Sequence, residues 1–263
     1  MYISMNTERI LYEDNDIIVC HKPAGIATQT ARVGQADMVS EITNYLLRPE
    51  HGRGKGRLQE DDGQQSEGGR RQDKTLQTIP YVGVVHRLDQ PVEGILVFAG
   101  NKRAAAELSR QIAENCMEKY YYAVICGQER TDGGRLEDYL VKDNRTNTSR
   151  IVPPEVKGAK KAVLEYEILT RKAEIALAKI RLYTGRHHQI RVQMSHAGMS
   201  LLGDYKYADA QTVRISEQMR VKEVALCACQ LSFRHPRTGK KMDFKIRPEG
   251  KIFQTEEFEP YYP

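Results

Sequence analysis

The chain has no apolar run long enough to cross a bilayer, which excludes a helical membrane span. Residues 1–9 lack the charged opening and long apolar core of a signal peptide, so the sequence predicts a cytoplasmic protein with no membrane partner. Cysteine is sparse and scattered, and Cys20, Cys116, Cys126, Cys227 and Cys229 include no C-x-x-C pair. An odd number without matching ligand spacing argues against a disulfide framework and against a structural metal site. Cys20 and Cys126 lie in apolar, strand-like runs and read as small buried hydrophobes, while Cys227 and Cys229 alternate and share one strand face. No internal repeat is present. One-sided charge is also missing: 40 Lys and Arg against 35 Asp and Glu leave +5 over 263 residues, too little by itself to mark a nucleic-acid binder. Between 49 and 75 apolar residues almost vanish, which predicts a disordered insertion within a single domain spanning 1–263.

What is there is concentrated in short segments. His86-Arg87-Leu88-Asp89-Gln90-Pro91-Val92-Glu93-Gly94 places a carboxylate beside a fixed positive charge, in a turn punctuated by Pro91 and Gly94. Residues 81–85 before it and 95–99 after it read as short strands. Taken alone, Asp89 and Arg87 read more simply as a surface ion pair than as chemistry. A second segment, Tyr183-Thr184-Gly185-Arg186-His187-His188-Gln189-Ile190-Arg191-Val192-Gln193, is followed by Leu201-Leu202-Gly203-Asp204. Two further stretches stand out: residues 10–16 running to Lys22-Pro23-Ala24-Gly25, and Lys119-Tyr120-Tyr121-Tyr122-Ala123.

Helical spacing predicts a short helix over 39–47 and another over 102–115 with Asn101 as its N-cap. Residues 162–169 and 174–182 read as strands, 195–198 as a helical turn ending at Gly198, and 230–246 as a β-hairpin. Antiparallel strand pairs with interspersed helices indicate an α+β fold. Arginine and lysine crowd two places, Arg181, Arg186 and Arg191 in the second segment and Arg234, Arg237, Lys240 and Lys241 in the hairpin, where they would follow a phosphate backbone or form a solvated face.

The four segments, in this order and spacing from about residue 10 to 247, resemble the RluA family of pseudouridine synthases. The resemblance implies that family's fold, a long mixed and mostly antiparallel sheet in two halves with a cleft between. It implies isomerisation of uridine to pseudouridine in ribosomal or transfer RNA with no cofactor, and nothing in the sequence demands more than a monomer. Asp89 matches the family's catalytic aspartate, Arg191 the arginine that pairs with it, and Tyr121 the active-site tyrosine. Period-2 alternation puts Tyr120 and Tyr122 on the opposite face from Tyr121. Arg87 is expected to contact RNA, and Val192 to wall the pocket beneath the base. Arg186, His188 and Gln189 are candidates for phosphate contacts or for holding the strand that carries Arg191. Flipping a base out of a stack costs a few kcal/mol, so a loop or bulge uridine is the expected target.

Two departures qualify the match. Val92-Glu93 stands where many members have threonine and serine, which would put a second carboxylate near Asp89 to raise its pKa or repel phosphate, and His187 stands where threonine is frequent. Many relatives also carry a small RNA-binding domain ahead of the catalytic one. This sequence starts almost at the first strand, so recognition is expected from the catalytic domain itself. Competing readings are an RNA-binding or chaperone module of the same fold without turnover, and a metal-dependent nuclease built on His86, Asp89, His188 and His196.

Overall fold

The computed structural model describes residues 7–30, 32, 34–48, 79–127 and 131–263; the insertion expected at 49–75 lies outside the described residues. The strands are β1 (Ile10–Glu13), β2 (Ile17–Lys22), β3 (Gly83–Val84), β4 (Glu93–Ala99), β5 (Glu118–Cys126), β6 (Gly133–Asp143), β7 (Thr148–Ile151), β8 (Lys160–Lys172), β9 (Ile175–Leu182), β10 (Ser200–Leu201), β11 (Leu226–Arg234) and β12 (Lys241–Lys245). The helices are α1 (Met38–Leu46), α2 (Lys102–Ala113), α3 (Gln189–His196) and α4 (Ala210–Gln218). The strands join in one sheet of order β1-β2-β4-β11-β5-β9-β8-β6-β7, with β3 on β4, β10 on β5 and β12 on β11.

Its pairings are antiparallel except at one seam, where β4 and β11 run parallel and meet through Cys227 opposite Glu93 and Ala228 opposite Gly94. That short seam divides the sheet into the expected halves. Gly94 permits it: φ is +135°, and a Cβ there would lie 2.5 Å from the Ala228 nitrogen. β11 leaves β4 after Gly94, and β3 rejoins the same strand at Phe98 and Ala99. Between them the His86 imidazole takes the place of a strand partner, its Nε2 accepting the Val97 N–H at 3.1 Å. The strand expected over 81–85 is observed over two residues, Gly83–Val84.

Helices cover both faces. In front, Leu96, Phe98, Tyr121, Ala123 and Ile180 pack with Ile42 and Leu46 of α1 and with Ile190 and Met194 of α3. Behind, Ile95 and Val97 meet Ala104 and Leu108 of α2. Tyr122, Val124, Cys227 and Cys229 meet Phe253 and Phe258 from two C-terminal 3-10 turns, Lys251–Gln254 and Glu256–Tyr261. The tyrosine alternation and the shared cysteine face are therefore as the pattern predicts. Local signals set the helix starts. Asn101 caps α2 by accepting from Ala104 N–H, and Asp37 with Ser40 forms a capping box at α1.

Candidate active site

Asp89 lies in the turn that enters β4, and its backbone is clamped from one side by residues 22–28. The Thr28 hydroxyl accepts the Leu88 N–H at 3.1 Å and donates to the Leu88 carbonyl at 3.0 Å. The ammonium of Lys22, a fully buried residue, donates to the carbonyls of Pro23, Ile26 and Gln90 at 3.0, 2.6 and 3.1 Å. Gly25 N–H also donates to Gln90 O, and the Gln90 amide returns a bond to Gly25 O. The backbone on either side of Asp89 is thus fixed before its side chain meets anything. Burial pushes the Lys22 pKa down to about 8, against the opposing pull of Asp89, Glu93 and Glu223.

The partner of Asp89 arrives from α3. The chain turns through His188, whose φ of 54° is left-handed, and the helix begins at Gln189. Arg191 therefore sits in the first turn of a helix. The alternation Gln-Ile-Arg-Val-Gln-Met resembles a strand, but residues 189–194 are all buried, so period 2 carries no information about which face is wet. Gln189 locks this start: its amide donates to Val163 O and Gln193 Oε1 and accepts from Thr184 Oγ1 and Arg186 N.

The Arg191 guanidinium reaches Asp89 Oδ2 through Nη1 at 3.3 Å. Its paired bonds go elsewhere, from Nε and Nη2 to the two carboxylate oxygens of Asp204 at 2.8 and 2.7 Å. Asp204 is delivered by a tight turn in which Gly203 has φ +72°; a Cβ there would lie 2.0 Å from the Glu223 carbonyl oxygen. The Tyr207 ring lies 5.1 Å from the guanidinium. Its hydroxyl accepts the Ser149 N–H at 2.8 Å and shares a hydrogen bond with His188 Nδ1 at 2.6 Å. The other ring nitrogen, His188 Nε2, lies 3.8 Å from Asp89 Oδ2. Burial and neighbouring Arg191 push the His188 pKa down to about 3, and burial holds His187, stacked on it at 3.7 Å, at about 4.

Asp89 keeps 26 % of its side-chain exposure. Burial raises its pKa, Arg191 and Lys22 oppose the shift, Asp204 adds to it, and the net direction is up. Tyr121 is nearly buried, and burial together with the Asp89 charge drives its phenol pKa up, so the hydroxyl stays protonated. These groups share a cleft of about 840 Å³ over the front of the seam, in which Asp89 is the one carboxylate among the described lining residues.

The family model for RNA pseudouridylate synthases matches residues 16–196, a stretch that carries Lys22, Asp89, Tyr121 and Arg191. The chain belongs to this family. Similar curated proteins include ribosomal large subunit pseudouridine synthase D of Zymomonas mobilis, 31 % identical over 89 % of this chain and 67 % of that one. The dual-specificity RNA pseudouridine synthase RluA of Vibrio vulnificus is 30 % identical over 87 % of this chain and 78 % of that one. The solved structure of human RNA pseudouridylate synthase domain containing 4 superposes with a TM-score of 0.70 over 96 % of this chain and 94 % of that one, at 20 % identity. The chain is thus an RluA-family RNA pseudouridine synthase, an isomerase that acts on RNA.

In the synthase, the structure brings Asp89, Arg191 and Tyr121 to one cleft, and places other expected residues differently. Val192 does not line the cleft: it packs with Leu140 and Ala162 beneath β6 and β8, and Val92, Leu182, Ile190 and Leu226 supply apolar wall instead. Gln189 has its amide engaged inside the protein and serves the geometry of α3. Arg87 does not pair with Asp89; it is exposed at the cleft mouth with Nη2 on the Gln29 carbonyl at 3.2 Å. Arg186 lines the cleft with Nε on the Lys161 carbonyl. Glu93 faces away from Asp89, its carboxylate accepting the Glu249 and Gly250 amides beside His21. The second carboxylate that raises the Asp89 pKa is Asp204, already visible in the Gly203-Asp204 pair but with nothing local to announce its partner. The basic clusters also divide: Arg191 is buried, Arg181 pairs with Glu118, and Arg237 pairs with Asp16. His86, Asp89, His188 and His196 do not form a metal-binding group. Among the described residues the clusters close enough to share an ion are Asp14–Asp16–His235 and His21–Glu93–Glu249.

Proposed function

We propose that this synthase converts uridine in ribosomal RNA to pseudouridine with Asp89 as its catalytic carboxylate. The observation that carries the reading is the Asp89–Arg191 contact in the cleft that the protonated Tyr121 also lines. The reaction breaks the bond from ribose to uracil N1, forms one to C5, and moves a proton from C5 to N1; it is redox-neutral and needs no energy input. Asp89 would act on the sugar's anomeric carbon, on the uracil ring, or on a developing cation, and each route uses the ionised carboxylate. Arg191 supports that form. Tyr121 offers a ring to stack on the flipped base and a hydroxyl to move a proton.

Electrostatics of the cleft favour a polyanion. Arg32, Arg87, Lys119, Lys142, Arg186 and Lys206 line it, and none pairs with a carboxylate among the described residues. Cations elsewhere are commonly neutralised, as in Arg110 with Glu107 and Glu114 or Lys172 with Glu257. Ribosomal RNA is favoured over transfer RNA because the synthase D relatives are ribosomal large subunit pseudouridine synthases. A single polypeptide acting in the cytoplasm without a cofactor completes the proposal.

The experiment is a pseudouridine map of cellular RNA from strains with the gene, without it, and with an Asp89→Asn copy restored. The expected result is one or more ribosomal positions lost on deletion and not regained with the variant. Identical maps in the three strains would sink the proposal, and lost positions confined to transfer RNA would replace the substrate.

A further inference from the structure

The front of the sheet carries two lysines, one fully buried and one half-buried, and their surroundings differ. Lys22 is satisfied by three carbonyls and faces Asp89, Glu93 and Glu223. Lys119, on β5 two residues before Tyr121 and on the same face, is half-buried in the cleft wall. No carboxylate or carbonyl among the described residues receives its ammonium, and burial alone holds its pKa below the usual lysine value. Its Nζ lies 3.8 Å from where a Cβ on Gly185 would be, at the loop leading to Arg191. Its charge is felt by His86, in the loop leading to Asp89. The ammonium therefore stands between the two loops that deliver the reacting pair. Gly185 itself puts no side chain over it.

A partly desolvated cation without a counter-charge is costly, and an anionic ligand would offset that cost. His86 does not supply it, since the ring is neutral with a pKa held at about 3. Asp89 is engaged by Arg191. An RNA substrate brings one fully charged group, the phosphodiester, whereas the uracil oxygens are neutral. We propose that Lys119 is a phosphate-binding residue of the cleft, its ammonium receiving the backbone phosphate adjacent to the target uridine. This rests on the function proposed above and names the part of the substrate that Lys119 holds. The other cleft cations without a carboxylate partner, such as exposed Lys142 and Lys206, would meet the flanking backbone.

The test compares the wild type with Lys119→Met and Lys119→Arg. The first readout is binding of a fluorescein-labelled ten-nucleotide oligouridylate across a potassium chloride series. Lys119→Met should bind about tenfold more weakly. Its slope of log affinity against log salt should be shallower by about 0.7, the increment for one phosphate contact on a single strand. Lys119→Arg should keep the wild-type slope. The thermal midpoint of Lys119→Met should equal or exceed that of wild type, because an unpaired buried charge is removed. The second readout is turnover on ribosomal RNA from cells lacking the gene, where the loss should appear in KM before kcat. An unchanged salt slope in Lys119→Met, an equal loss in Lys119→Arg, or a fall in kcat with affinity and slope intact would each overturn the assignment. A wild-type protein that makes no pseudouridine in any cellular RNA would overturn the function proposed above, while the salt slope would still report on Lys119.

Discussion

At the scale of the residue, Arg191 is shared unequally between two carboxylates, and the two are separable by mutation. Asp89 has a folded pKa raised above its unfolded value, so whatever stability it contributes is present below the unfolded pKa and lost as pH rises through the folded one. At neutral pH the ionised group is held at a cost. Asp89→Asn should therefore abolish turnover while leaving the thermal midpoint at pH 7 equal to or above wild type, as differential scanning calorimetry would show. For the wild type, activity should fall on the acid side with an inflection above the ordinary aspartate value of about 3.9. Asp204→Asn acts in the opposite direction on stability. It leaves a buried guanidinium without its paired acceptor, for an expected loss of about 3–5 kcal/mol in urea unfolding. It also removes a negative charge that raises the Asp89 pKa, so the acid inflection of its residual activity should move to lower pH. A merely structural role for Asp204 would lower the rate without moving the inflection.

At the scale of the element, glycines decide how closely strands approach. Gly94→Ala forces β4 and β11 apart at their seam and places alanine at φ +135°, for an expected cost of about 2–5 kcal/mol in urea unfolding. Gly198→Ala, at the end of α3 with φ +74° and open space around its Cβ position, should cost only about 1 kcal/mol, the conformational part alone. Equal costs would mean that the close approach to Ala228 does not matter. The same elements show what a sequence can and cannot disclose. Period-2 alternation placed Tyr121, Cys227 and Cys229 on the right faces, because β5 and β11 pack different cores on their two sides. Asn101 was legible as a cap because capping is a contact across three residues. The helical state of Arg191 was not legible, since a fully buried segment shows no polar face and its start is set by a left-handed His188. Nor was the Lys22–Gln90 clamp, whose two ends lie 68 residues apart.

For the whole molecule, the catalytic face depends on a layer it never touches. Phe253 and Phe258, both almost fully buried, pack behind β5 and β11 against Tyr122, Val124, Cys227 and Cys229. Tyr122 donates its hydroxyl to the Tyr261 carbonyl at 2.7 Å. Glu93, the departure expected to disturb Asp89, instead ties the C-terminal segment to the start of β4 by accepting the Glu249 and Gly250 amides. Tyr121 and Tyr122 are neighbours on one strand, so the back layer braces the strand that presents the Tyr121 phenol to the cleft. Loss of an aromatic ring from such a site creates a cavity, and Phe258→Ala should cost about 3–5 kcal/mol. Because the sheet lies between that cavity and the cleft, kcat per folded molecule should hold at temperatures well below the lowered midpoint. Urea unfolding followed alongside turnover checks both halves. A kcat that falls while the protein is still fully folded would show that the C-terminal layer sets the position of Tyr121 as well as supporting its strand.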